Sequence, residues 1–190
     1  DDFELINLFH RNGPFADRLY AGTELLLKVA EAHRRLGFPI ESARLFQSLI
    51  RDSKAEAFHE VALMGLGDSY LEQKDMRAAR AVFERYRLQF PVGRFAGQAL
   101  LGILTSFEGE GNTSGLVKLG KQWLIHNPRH PDRALIQLKV ADALRQAKRD
   151  AEAAPLYESV LKAGMDLSAL DRLRYADVLA RLNRQEPALA

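Results

Sequence analysis

The chain has 190 residues, 47% of them hydrophobic, and no cysteine, which suits one helical domain with a substantial core in either an oxidising or a reducing compartment. With 27 basic and 25 acidic side chains the formal charge is only +2, too small to mark a nucleic-acid or membrane-surface protein. No apolar run is long enough to span a bilayer, and neither a signal peptide nor an initiator Met is present, so we expect a processed chain or a fragment.

Residues 1–14 read as the second helix of a preceding hairpin, with Phe3, Ile6 and Phe9 apolar and Gly13-Pro14 ending it. At Thr23 a frame begins that recurs at Glu60, Gly97 and Ala134, in steps of 37 residues. In the first unit (23–59) Leu26, Val29, Ala30, His33, Gly37, Ser42, Phe46 and Leu49 fill its columns. The second (60–96) has Leu63, Leu66, Gly67, Tyr70, Lys74, Ala79, Phe83 and Tyr86 there. The third (97–133) has Leu100, Ile103, Leu104, Phe107, Gly111, Leu116, Gly120 and Trp123. The fourth (134–168) has Gln137, Val140, Ala141, Leu144, Lys148, Ala153, Tyr157 and Val160. A partial unit (169–190) carries Tyr175, Ala176, Leu179, Asn183 and Ala188, and Pro187-Ala188-Leu189-Ala190 is only the opening of another helix.

Small residues such as Ala30, Gly67, Ala141 and Ala176 let paired helices approach, and the large ones wedge the gap. Unrelated amphipathic helices of one bundle would show helical spacing without a fixed step. Turn chemistry predicts hairpins breaking near Gly37, Asp75, Gly111 and Arg149, with Pro39 in a first turn and N-caps at Asp75, Asp150 and the run Asn112-Thr113-Ser114. Pro155 falls inside the helix begun at Asp150 and should bend it. Glycine crowds the third unit, where Gly102, Gly115 and Gly120 should weaken its helices.

These columns are those of the tetratricopeptide (TPR) signature, which the chain resembles along its whole length. The resemblance implies an all-α, right-handed TPR-like superhelical solenoid of antiparallel helix hairpins, a single one over residues 1–190, whose work is holding other proteins. The linker Gln89-Phe90-Pro91-Val92-Gly93-Arg94 and its surroundings, residues 76–101, are similar to TPR proteins of the bacterial envelope. Those are the outer-membrane assembly lipoproteins and the Tol-associated division coordinators, which implies a periplasmic setting ahead of a cytoplasmic one.

Chemistry-bearing patterns are sparse. His126 and His130 are interrupted by Pro128 and Pro131 and share no helical face, and His33 sits in a packing column. No phosphate loop and no convergent Ser, His and Asp set is present. We therefore expect no catalytic residue, cofactor or metal, and no enzyme within these residues.

The informative surface is the concave one, lined by the first helix of each hairpin. Leu27, Met64, Leu101, Leu138 and Leu173 form an apolar column along it, and Glu31, Asp68, Thr105, Asp142 and Asp177 a mostly acidic one. Lys28, Gly65, Gly102, Lys139 and Arg174 lie beside them. The pairs Lys28 with Glu31, Lys139 with Asp142 and Arg174 with Asp177 are spaced to neutralise one another on their own helices. We expect Leu27, Met64, Asp68, Leu101, Thr105, Leu138, Asp142 and Leu173 to bind a peptide or helix of a protein partner. The acidic column would repel a peptide carboxylate, which sets chaperone-tail binding aside, and with the low net charge it argues against an RNA reader. Three roles remain open: a scaffold in a bacterial multiprotein assembly, the TPR arm of a larger enzyme or export machine, and a homo-oligomerisation module.

Overall fold

A computed structural model describes residues 1–16 and 20–182. Among these the chain forms ten α-helices, one short 3-10 helix and no strand. The expectations for Asn183, Ala188 and the terminal Pro187 to Ala190 lie outside the described residues. The helices fall into two compact units, Asp1–Ser106 and Phe107–Ala190.

The first unit contains α1 (Asp2–Ala16), α2 (Tyr20–Arg35), α3 (Pro39–Arg51), the 3-10 helix (Ser53–Phe58), α4 (His59–Glu72), α5 (Met76–Gln89) and most of α6 (Ala96–Gly109). Each of α1 to α4 packs on the next, and α2 also touches α4. Helix α1 runs on to Ala16, past the expected stop at Gly13-Pro14. A proline within a helix loses its own backbone hydrogen bond and crowds the preceding turn, which can bend a helix without ending it.

Glycine and aromatic residues key the hairpins together. The Phe46 ring of α3 lies so close to Gly65 of α4 that a Cβ there would stand 2.2 Å from it. The Phe83 ring of α5 lies between Gly67 of α4 and Gly102 of α6, where a Cβ would stand 2.5 Å and 2.4 Å away. Both rings are almost wholly buried, each contributing about 2–3 kcal/mol of apolar burial. Gly65 and Gly102, expected beside the groove, are instead the seats of these rings.

The second unit contains the end of α6, then α7 (Thr113–His126), α8 (Arg133–Gln146), α9 (Asp150–Lys162) and α10 (Ala169–Arg181). Helix α8 is held between α7 and α9, and α10 packs on both α9 and α8. Helix α7 runs unbroken through its buried Gly120, and Trp123 one turn on is 8% exposed. Glu152 of α9 has its carboxyl pulled down to about 2, first by Arg149 at the start of its own helix and then by Lys121 of α7.

All four described hairpins turn in the same way. After α2, α4, α6 and α8 the residues Gly37, Lys74, Gly111 and Lys148 stand at φ of 80°, 61°, 69° and 58°. The following N–H groups of Phe38, Asp75, Asn112 and Arg149 donate to the carbonyls of His33, Tyr70, Phe107 and Leu144. These are the closures of a Schellman motif. Asp75 then caps α5 through Ala78 N–H at 3.0 Å, and Asn112 caps α7 through Gly115 N–H at 2.9 Å. The cap expected at Asp150 is absent: Arg149 is the N-cap residue, and Asp150, already helical, faces Arg181 at 2.9 Å. Pro155 is exposed inside α9, which spans Asp150–Lys162 as one helix.

Candidate functional site

The first helices α2, α4 and α6 carry the expected surface in one unit, and α8 with α10 carries it in the other. Helix α4 packs on α2, α3 and α5, so its apolar residues are buried around most of its circumference. Met64 is accordingly 9% exposed and belongs to the packing seam, not to an open rail. Leu27 and Leu101 are half-buried on α2 and α6. Asp68 and Thr105 are likewise half-buried. Burial pushes the Asp68 carboxyl up from its ordinary value, against the pull of the Arg34 guanidinium.

In the second unit Leu138 is half-buried and Leu173 is 67% exposed. Asp142, expected to select a partner, is 9% exposed and already engaged. The Tyr157 hydroxyl of α9 donates to its Oδ1 at 2.5 Å, and Arg174 of α10 pairs with its Oδ2. A buried polar group needs such hydrogen-bonding partners, and through them Asp142 of α8 joins α9 and α10. Burial followed by the hydrogen bond to Asp142 pushes the Tyr157 phenol well above its ordinary range.

The three expected pairings within single helices are not made. Lys28 pairs with Glu24 at 2.8 Å, Lys139 reaches from α8 to Glu108 of α6 at 2.5 Å, and Arg174 reaches Asp142 and Asp171. Arg34 of α2 similarly meets Glu72 of α4 at 2.8 Å, and Arg145 of α8 meets Asp177 of α10 at 3.3 Å. Neighbouring first helices lie within reach of one another's long side chains, and a basic residue preceding an acidic one on the same helix is the poorer order. Ion pairs thus join α2 to α4 in one unit, and α8 to the end of α6 and to α10 in the other.

Two features escaped the sequence reading. Tyr86 of α5, 0% exposed, donates to Glu60 Oε1 at 2.6 Å and accepts from Phe95 N–H at 3.0 Å. A tyrosine in a column otherwise held by Leu49, Trp123 and Val160 was the available signal. The second is a cleft of about 490 Å³ at the junction of the loop before α8, α8 itself and the end of α9. His33 is packed as expected, 8% exposed with its ring edge-on to those of His10 and Phe38. His130 packs edge-on against Trp123 with ring centres 4.9 Å apart. Among the described residues no three His, Cys, Asp or Glu side chains are grouped to hold a metal ion, and no helix is long and apolar enough to cross a membrane.

Comparison with known proteins gives a consistent result. The sequence model of the tetratricopeptide repeat matches residues 27–94 and 122–168, more than half of the chain. No curated protein matches. Two similar solved structures are of nearly identical TPR-like repeats from a Podosopora anserina chain designated a kinesin light chain. One of them, a form carrying a single substitution, has a TM-score of 0.69 at 13% identity, over 97% of this chain and 87% of that one. The other has a TM-score of 0.63 at 15% identity, over 97% and 96% respectively. At such identity the likeness is one of fold.

Proposed function

The chain belongs to the tetratricopeptide-repeat family, and from that premise we propose that it is a non-enzymatic scaffold whose first helices hold a segment of a protein partner. Repeats of this kind generally mediate protein–protein interaction. The observation that carries the reading is a set of leucines left at least partly exposed on those helices: Leu27 and Leu101, half-buried, in one unit, and half-buried Leu138 with exposed Leu135, Leu170 and Leu173 in the other. These leucines sit on helices packed into each unit, so an apolar partner face would meet a preorganised surface. Asp68 and Thr105 supply adjacent polar contacts. Met64 and Asp142 support the site from behind, by packing and by ion pairing.

The setting we propose is a bacterial multiprotein assembly of the envelope type, supported by the phrasing of residues 76–101. The test is capture of partners by the intact chain, identification by mass spectrometry, and calorimetry of the purified pair. Leu101→Ser and Leu138→Ser should each weaken binding roughly tenfold with the helical circular dichroism retained. Undiminished binding in both variants would overturn the groove reading. If light scattering shows the chain itself to be the captured partner, the surface is a homo-oligomer contact instead.

A further inference from the structure

We propose that the cleft bounded by the α7–α8 loop, α8 and the end of α9 is a second binding site, one that takes an acidic peptide segment carrying a large apolar side chain. It goes beyond the groove reading and stands on the unit Phe107–Ala190 alone. The repeat itself shows why a space exists. In the first unit the matching junction is closed by Tyr86, whose ring rises from the second helix of its hairpin and whose hydroxyl meets Glu60 at the start of the first. Two repeats on, the same columns hold Val160 and Ala134. Where Glu60 carries a carboxylate, Ala134 has only a methyl group, and it lines a cleft of about 490 Å³. That volume lies in the range of sites that bury a ligand's side chain.

The walls are built for rigidity. Pro128 and Pro131 fix the loop before α8, and Arg133 is pinned by donating Nη1 to the Leu124 carbonyl and, at 3.5 Å, to that of Asn127. Gln137 Nε2 donates to Ser159 Oγ at 2.9 Å across the lining, so α8 and α9 are tied there. Met165 offers an adaptable apolar surface alongside the prolines.

Charge decides the occupant. Arg129 and Arg133 line the cleft and no carboxylate does. The acids next to the lining in sequence have partners of their own: Asp132 faces His130 at 3.8 Å, Glu158 accepts from the Tyr175 hydroxyl at 3.4 Å, and Asp166 pairs with Arg172. Arg129 is exposed at the edge, placed to meet a carboxylate beside an apolar side chain seated against Pro128, Pro131 and Met165. This is the chemistry that Tyr86 and Glu60 supply from within the chain in the other unit.

Trp123 is the only tryptophan and packs on His130 of the cleft wall, so its emission reports occupancy. The experiment titrates the 190-residue chain with acetyl-Glu-Glu-Phe-Leu-Glu-amide, with the same peptide carrying Lys for Glu, and with inorganic phosphate. A saturable change in Trp123 emission is expected for the acidic peptide alone. Arg129→Glu should weaken it roughly tenfold, as should raised salt. Ala134→Glu should weaken it by setting a carboxylate into the lining, and if that variant fails to fold, the exposed Arg129 variant keeps the test decisive. Leu101→Ser should leave the titration unchanged, which separates this site from the groove. No response to the acidic peptide, an equal response to the lysine peptide or to phosphate, or an unaffected Arg129→Glu variant would each overturn the proposal.

Discussion

Gly102 shows how far a single residue's meaning depends on what it touches. By propensity alone a glycine within a helix costs about 1 kcal/mol relative to alanine, so Gly102→Ala should stabilise α6. The Phe83 ring reverses the sign, because a Cβ at Gly102 would stand 2.4 Å from it. We expect Gly102→Ala to lower stability by about 1–3 kcal/mol, measured as a shift of the urea midpoint. An unchanged midpoint would show that the ring can move aside. His33 offers a test by pH. Burial, and then the neighbouring His10, holds its imidazole below its ordinary value, and its Nδ1 has no hydrogen-bond partner. Its proton is therefore taken up more readily by the unfolded chain, so stability falls as pH drops through and below about 6.5. Replacing His33 by Phe should flatten the urea midpoint against pH between about 7 and 5, and an unaltered profile would remove His33 as the cause. Neither the seat of the Phe83 ring nor the His10 partner of the buried imidazole is local in sequence. The columns exposed the small–large alternation, but not that Gly65 and Gly102 serve rings from another hairpin.

At the level of the helices, much was legible. The turns fall near Gly37, Asp75, Gly111 and Arg149 as expected, although the cap expected at Asp150 is not made, because a Schellman closure and an N-cap are decided by a handful of adjacent residues. The same column supplies a prediction. Lys74 and Lys148 occupy left-handed backbone that Gly37 and Gly111 enter without steric cost. Lys148→Gly should stabilise α8 by about 0.5–1 kcal/mol, net of the greater freedom glycine gives the unfolded chain. Thermal denaturation of that variant checks it, and a lower midpoint would mean the lysine side chain contributes packing that outweighs its strain. The candidate surface was less legible than the turns. Pairing on one helix is a matter of spacing, whereas Lys139 with Glu108 and Arg174 with Asp142 depend on how close neighbouring first helices lie. Met64 was misplaced for a related reason: a helix packed on three sides buries residues that a two-sided hairpin would leave open.

On the scale of the whole molecule, the fixed 37-residue step made the all-α tetratricopeptide-like fold readable, since it survives substitution in individual columns. The cleft was not readable, because it forms where the loop before α8, α8 and the end of α9 meet in space, and a column comparison registers Ala134 in its lining only as tolerated variation. The interlocking rings also govern how the molecule should answer a mechanical load. Phe46 of one hairpin is held in the next by Gly65, and Phe83 of that hairpin is held in α6 by Gly102. Each hairpin in the unit Asp1–Ser106 is thus latched to its successor, and detaching one removes the seat of a single ring while the earlier latch stays shut. Stretched by its ends in an optical trap, this unit should lengthen in discrete events, each releasing one repeat of 37 residues and hence a contour of roughly 120–130 Å. One rip spanning the whole unit would mean that the latches fail together. In the stepwise case the unit Asp1–Ser106 is a graded extensible element, giving way a repeat at a time and re-engaging each ring in its glycine seat when the tension drops.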